Sequence, residues 1–497
     1  MWRNYRLALS FANLIYLRAW ADLIPFRSSD LYVRKTIPGF SLYFALVGDV
    51  LAVSLLIFLL ICFAPRMPAW LRRVLPVAAI AMMALSTSFL RAQLLHLAPA
   101  KVLALPLALL FAVAAVLAFR FSSMAVRLLK GVALAATPCI AVTFLAPLYY
   151  LSGPSPLPPD PPLAKRLAGS PPVRILWIVF DDWDQQLTFP NRAPGTNLPQ
   201  LDVLVNRSFT ASRALAAEAG KPVVDMATAA AIPSLLYGKL VIASAHEGPA
   251  TTRILFADSD QTIVFGDGDN IFGRVRAQGW NSAVAGWYIP YCRVFAAQLT
   301  DCWWDERYDQ ASSAGSAPLQ AAVDETRMLF ETEMYSPFGR SLVDTRHFEE
   351  YEALLAAARR YAADPSIGLA FIHFNIPHAP YFYNPQLGRF GRRDHPDDLY
   401  MDALRWVDRT VGDVLSSLSQ AGLDSKTAVI LSSDHPARLI TRLDPHVPFI
   451  VHLPGEEAGM FSAQEFSALR TADLVLAIAR GEVQSPAAIE KFLSRGR

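Results

Sequence analysis

Three clusters of acidic and imidazole side chains stand out in this 497-residue chain. Asp181, Asp182 and Asp184 follow the apolar run RILWIVF (174–180), His373 and His378 lie in FIHFNIPHAPYF, and Asp434-His435 follows AVILSS. Carboxylate oxygens and imidazole nitrogens that converge are the ligands a zinc- or manganese-type ion needs, because they neutralise its charge and set its geometry. A single cluster would carry little, since an Asp after a strand is often a turn or helix cap and a His in an apolar stretch is more often a satisfied core residue. Three of them, each at the end of a strand-like run, are harder to ascribe to chance. A hydroxyl for nucleophilic chemistry is offered by ATAAAIPSLLYG (227–238), where Thr228 sits among small residues five positions before Pro233. Ser234, just after that proline, reads as a helix-start residue, and Lys221 upstream could meet an anionic substrate.

These residues need elements to position them. Runs 174–180, 252–256, 282–288, 368–374, 428–432 and 447–453 are short, apolar and β-branched, whereas 348–362, 399–418 and 472–480 have helical spacing. Their alternation predicts an α/β domain with a mostly parallel central sheet, whose ligands gather at the carboxyl ends of strands. No internal repeat is visible.

The composition describes two different objects. Hydrophobic residues make up 53% and charged residues 18%, with mean hydropathy +0.29, which excludes disorder and fits a plain cytosolic enzyme poorly. Up to Leu163 there are 14 Lys/Arg against 4 Asp/Glu; beyond it there are 31 against 39. A basic, apolar first part followed by a mildly acidic second part reads as a membrane region carrying a globular domain, and it argues against nucleic-acid binding. Segments 41–63, 74–90, 102–119 and 132–151 have the length and apolarity of membrane spans. A fifth, 7–26, carries Arg18 and Asp22 and either spans or lies in the interface; no cleavage site marks it as a signal peptide. Arg66, Arg72 and Arg73 in one loop, and Arg120, Arg127 and Lys130 in another, place those loops in the cytoplasm. The loop 27–40 and everything after 151 then lie outside it, on the periplasmic side of an inner membrane. Six prolines in 153–162 make a stiff spacer. The expected organisation is a transmembrane helical region at 1–151, a Pro-rich linker at 152–170 and an extracytoplasmic domain at 171–497.

The ordered set of FDDWD, Thr228 ahead of IPSLLYG, HFNIPHAPY, SSDHP and HVPFIVHLPG resembles the alkaline phosphatase and sulfatase superfamily over roughly 174–455. Within it the chain is similar to the membrane-anchored branch of phosphoethanolamine transferases and lipoteichoic acid synthases. The resemblance implies an alkaline phosphatase-like fold. It makes Asp181, with Asp182, and the pair Asp434 and His435 the metal ligands, and Thr228 the nucleophile. His373 and His378 would bind substrate phosphate or a second metal, with Lys221 and His446 as further substrate-binding residues. The implied cofactor is a divalent metal, zinc or manganese first, calcium or magnesium next, with no nucleotide cofactor. The substrate would be a membrane lipid or envelope glycan, and the reaction the cleavage or transfer of a phosphate ester of the phospholipid head-group type. Hydrolysis of a soluble ester, or an inactive envelope-binding relative, are the alternatives. Two departures matter: no Cys-x-Pro-x-Arg motif exists to mature into formylglycine, which disfavours sulfate hydrolysis by that route, and Pro436 stands where the family carries Gly.

Other features are read more plainly. Cys292 and Cys302 flank a short segment on the expected oxidising side, so a local disulfide is predicted, with two buried thiols as the alternative. FGDGDN (265–270) lacks the spacing and the Lys-Ser/Thr of a phosphate loop and reads as a turn, and no Gly-x-Ser-x-Gly elbow occurs. Asp49 suits either a membrane pathway or a span boundary, and Trp303-Trp304 either a substrate wall or core.

Overall fold

The computed structural model describes residues 1–24, 32–35, 39–86, 100–153, 157–221, 226–305, 317–329, 342–381, 383–390, 396–438 and 444–495. They form two compact units. One comprises 1–27, 36–156 and 311–342; the other comprises 28–35, 157–310 and 343–497.

The second unit is built on one twisted sheet. Its strands are β1 (Arg174–Asp181), β2 (Phe209–Leu215), β3 (Ser282–Trp287), β4 (Asp301–Asp305), β5 (Leu369–Pro377), β6 (Thr427–Ser433), β7 (His446–His452), β8 (Met460–Ser462) and β9 (Phe466–Ser467). They are ordered β8-β2-β7-β6-β1-β5-β3-β4, with β9 also paired to β2. The pairs β6-β1, β1-β5, β5-β3 and β3-β4 are parallel, and β7 alone runs antiparallel to both its neighbours. The run 252–256, expected as a strand, belongs instead to a separate three-stranded antiparallel sheet.

Both faces of the sheet are covered, which is why its strands read as unbroken apolar runs rather than alternating ones. Ile175, Trp177 and Val179 point into one core with helices Thr228–Tyr237 and Thr471–Ala479. Leu176, Ile178 and Phe180 point into the other, against helices Leu342–Ala363 and Pro396–Gln420. The buried Arg174 opens β1 at the end of the sheet opposite Asp181. Its guanidinium donates to the carbonyls of Tyr361, Ala362, Asp364 and Ile367 and to Thr427 Oγ1 at 2.8–3.3 Å, so a cation closes the carboxyl end of helix Leu342–Ala363. A second buried arginine gathers the segments that flank the apolar helices. Arg293 donates to Tyr32 O (2.9 Å), Arg34 O (3.1 Å) and Pro249 O (2.7 Å) and pairs with Asp160 (3.2 Å), which also accepts from Trp304 Nε1 (3.0 Å). Trp304 is therefore core, and Lys35 lies over both Trp303 and Trp304.

The first unit is helical. Among the described residues, one helix, Phe40–Arg66, is long and apolar enough to cross a membrane, with mean hydropathy 2.8. Ala112–Arg120 and Ser122–Ala135 pass the same test only as a pair, bent by 110°. The expected span 132–151 is divided at Ala136 between Ser122–Ala135 and Thr137–Ser152, because Pro138 lacks an amide for the continuing ladder and disfavours helical backbone in the residue before it. The segment 7–26 is likewise split, into Trp2–Ile15 and Leu17–Asp22, with 25–26 outside the described residues. Helix Ala69–Ser86 covers most of the segment 74–90, of which 87–90 are not described; helix Ala100–Arg120 covers 102–119. Helix Pro318–Met328, although flanked in sequence by strands of the sheet, belongs to this unit. There Thr326 lies 3.2 Å from the Tyr16 hydroxyl and donates to Asp49 at 3.4 Å, so Asp49 has a partner inside the unit.

Replacing Arg174 by Ala should destabilise the sheet unit by about 3 kcal/mol, because the buried carbonyls it serves lose their donors. Chemical denaturation measures this, and bound metal should be unchanged because the change lies at the far end of the strand.

Candidate metal and anion site

The carboxyl ends of β1, β5 and β6 meet at one edge of the sheet. The register brings Phe180 beside both Ser433 and Phe374, and a shift after Phe180 sets Asp181 opposite Pro377. Period-two alternation would send Asp181 and Asp182 to opposite faces. Asp182 instead adopts a left-handed backbone, φ 62°, which turns the chain and returns its carboxylate to the site. Such a conformation is strained for a residue with a Cβ, and it is held here by its surroundings. Tyr400 donates to Asp182 O at 2.7 Å and accepts from Asp184 N–H at 2.9 Å, and Trp183 N–H donates to Ser433 Oγ at 3.0 Å. Ser433 Oγ also lies 2.7 Å from Phe180 O and so ties the ends of β1 and β6.

At the centre is the Thr228 hydroxyl, 2.9 Å from Asp434 Oδ2, 3.2 Å from Asp181 Oδ2 and 3.3 Å from His435 Nε2. Thr228 is the first residue of its helix, whose opening amides have no acceptor within the helix and favour negative charge. The buried Glu218 holds this end in place: one carboxylate oxygen accepts from Ala227 N–H at 2.8 Å and the other from Lys221. Ser234 is used elsewhere, donating to Ala230 O and accepting from Val241 N–H.

His435 Nε2 lies 3.3 Å from Asp434 and 3.6 Å from Asp181, and its Nδ1 lies 3.0 Å from Asp182. His378 Nε2 lies 3.7 Å from Asp182, and His373 Nε2 lies 3.9 Å from Asp181. The ring of Trp287 meets that of His378 at 5.5 Å. Arg438 enters with Nε 3.5 Å from Asp182 and donates to Met226 O at 3.0 Å. Two of the expected residues belong elsewhere. Lys221 pairs with Glu218, and His446 sits with Asp444 at 2.5 Å and Glu465 at 3.7 Å. Cys292 and Cys302 are bonded to each other.

The electrostatics are those of a cation site. Burial, and then Asp434, push Asp181 up to about 7. Burial alone would raise Asp182 too, but His378, His435 and Arg438 hold it far below the usual carboxylate range. Burial would lower His435, yet Asp434, Asp182 and Asp181 outweigh it and lift the imidazole to about 9. His373, dominated by burial, falls to about 4. Bound protons thus supply the positive charge that three buried carboxylates demand. Asp181 Oδ1 and His373 Nε2 are buried without a hydrogen-bond partner, which a core would not tolerate without a reason. The donor set fits a divalent ion: Asp181, Asp434 and His435 could hold one, and Asp181, Asp182 and His378 form a second such group.

Residues 301–479 match the Sulfatase family model. Over these residues the chain is similar to the Sulfatase family, in keeping with a hydrolase or transferase of sulfate or phosphate esters. No curated protein matches. Among solved structures, the chain is similar to an alkaline phosphatase superfamily protein from Vibrio parahaemolyticus (13% identity, 66% of this chain and 71% of that one, TM-score 0.40). It is also similar to the phosphonate monoester hydrolase of Silicibacter pomeroyi (16%, 65% and 78%, 0.41) and to the lipoteichoic acid synthase LtaP of Listeria monocytogenes (13%, 63% and 73%, 0.38).

Arg438, Glu218, Tyr400 and the Tyr291 that touches His373 escaped the sequence reading. Arg438 alone had a local signal, as the basic residue closing DHPAR; the other three meet their partners through the fold.

Because Asp181 holds its proton up to about pH 7 in the metal-free protein, zinc or manganese must displace it. Affinity, measured by competition with a chromogenic chelator, should therefore fall steeply as pH drops from 8 to 6. The same shift makes the metal-free protein lose stability as pH rises from about 4 through 7, a trend that bound metal should reverse.

Proposed function

We propose that this chain is a membrane-anchored, metal-dependent enzyme of the Sulfatase family that cleaves or transfers a phosphate ester of the phospholipid head-group type, with Thr228 as nucleophile. The observation that carries the reading is the Thr228 hydroxyl: it lies within 3.3 Å of Asp181, Asp434 and His435, at the amino end of a helix. Asp181, Asp434 and His435 would hold zinc or manganese. Such an ion would lower the pKa of the hydroxyl and neutralise charge on the transferring group. Thr228 Oγ1 would bond to phosphorus as the bond from phosphorus to the ester oxygen breaks, and the hydroxyl proton, taken up through Asp434 Oδ2 at 2.9 Å, would balance the departing alkoxide, which leaves as the alcohol. A water or an acceptor alcohol would then attack the phosphothreonine from the opposite side and restore the hydroxyl. Arg438 and His378, beside Asp182, and His373, beside Asp181, suit the non-bridging oxygens. A threonine cannot be matured as a sulfatase cysteine is, which favours phosphate over sulfate.

Anchoring is supported by helix Phe40–Arg66 and by a parity argument. Residues 32–35 and 160, on either side of the apolar helices, are held by the same Arg293 within the sheet unit. A chain anchored through 36–156 would therefore leave for the membrane and return on one side, with an even number of crossings between. One crossing by Phe40–Arg66 requires at least one more, in keeping with a multi-pass anchor and a domain facing the periplasm. A lipid substrate would then lie within reach of the site.

Thr228→Ala should reduce turnover by at least about 10³-fold with bound metal unchanged, whereas Thr228→Ser should retain part of it. Release of diacylglycerol from phosphatidylethanolamine and phosphatidylglycerol vesicles by the full chain measures this. Full activity of the Ala variant would sink the mechanism. Cysteines placed at Lys35 and Pro159 should react equally with an impermeant maleimide on intact cells; labelling at one alone would refute the even crossing.

A further inference from the structure

Behind His373, against Nδ1, lies the hydroxyl of Tyr291 at 2.8 Å. Both side chains are fully buried. A buried tyrosine hydroxyl needs an acceptor for its proton, and among the described residues the partner recorded for it is His373 Nδ1. The O–H therefore donates to Nδ1, and the neutral imidazole carries its own proton on Nε2. The reverse arrangement, with Nδ1–H donating to the tyrosine oxygen, leaves the tyrosine proton with no acceptor.

The other two imidazoles are set the opposite way. His435 Nδ1 faces Pro436 O at 3.2 Å and His378 Nδ1 faces Ala379 O at 2.7 Å. A carbonyl only accepts, so in their neutral forms both rings carry the proton on Nδ1 and present an Nε2 lone pair to the carboxylates, as a metal ligand must. Of these three, His373 alone presents an N–H at Nε2, an atom with no partner at hydrogen-bond distance, while the Trp287 carbonyl near the ring favours its protonation.

We propose that Tyr291 is a positioning residue that holds His373 in the Nε2–H tautomer and so makes it a hydrogen-bond donor to a phosphoryl oxygen rather than a metal ligand; this rests on the phosphate-ester reading above. The fold is arranged for the contact. Gly286, the register neighbour of His373, leaves space that any side chain would close, since a Cβ there would fall 2.3 Å from the Tyr291 ring. The adjoining Cys292 is bonded to Cys302 on β4.

The test uses the full chain in detergent, loaded with zinc or manganese, and inorganic phosphate as the probe in isothermal titration calorimetry. Tyr291→Phe should bind phosphate about tenfold more weakly, with metal content by elemental analysis unchanged. His373→Gln, which keeps an N–H donor, should lose less than His373→Ala. In ¹⁵N-histidine-labelled wild type, the His373 ring, assigned as the signal missing from His373→Gln, should show the Nε2–H pattern and lose it in Tyr291→Phe; the wild-type signal decides even if the Tyr291 variant folds poorly. Loss of a metal equivalent in His373→Gln, an Nδ1–H pattern for the assigned His373 ring, or unchanged phosphate affinity in Tyr291→Phe would overturn the assignment. A metal-loaded wild type that binds no phosphate would overturn the phosphate-ester reading and the proposal with it.

Discussion

Three carboxylates, Asp181, Asp182 and Asp434, are buried around one hydroxyl. Buried like charges cannot all ionise without compensation, and much of the second unit is a response to that constraint. His435 reaches all three, Arg438 and His378 attend Asp182, and Asp181 is pushed toward neutrality. Such an arrangement is a poor source of stability and a good receptor for a divalent ion.

Holding the group together takes rigid and locally strained backbone. The sheet supplies rigidity, because the strands that bear the ligands are its central ones and are packed on both faces. The strain is confined to Asp182, where a left-handed residue overrides strand alternation, and Tyr400 and Ser433 secure the segments on either side of the turn. On the opposite wall Glu218 fixes the start of the Thr228 helix. A buried carboxylate there is balanced by an amide and by Lys221, so it orients the helix without competing for the ion. Tyr291 does for His373 what the backbone carbonyls do for the other two imidazoles, with the opposite result for the proton.

Arg293 plays a comparable part within the sheet unit. It binds backbone before the apolar helices and a side chain after them, so residues 32–35 and 160 meet at one buried cation within the sheet unit. That is a constraint on topology more than on stability.

Much was legible in the amino-acid order alone. The runs before Asp181 and Asp434, and the run containing His373, announced central parallel strands because a sheet covered on both faces needs apolar side chains at every position. The acidic and histidine clusters at or near their ends marked the site for the same reason, since polar groups gather where strands emerge. The short, partly exposed strands Phe209–Leu215, Asp301–Asp305 and Met460–Ser462 lacked that signal. Composition announced the apolar first part, but not the break at Ala136 or the transfer of helix Pro318–Met328 to the helical unit. Tertiary structure alone decided which polar groups meet. Lys221 and His446 were plausible by type yet belong to neighbouring pairs, while Glu218, Tyr291 and Arg438 reach the site. Tyr291 and His373 are 82 residues apart, and contact across that distance depends on strand order, register and the absence of a side chain at Gly286, none of which a local pattern encodes.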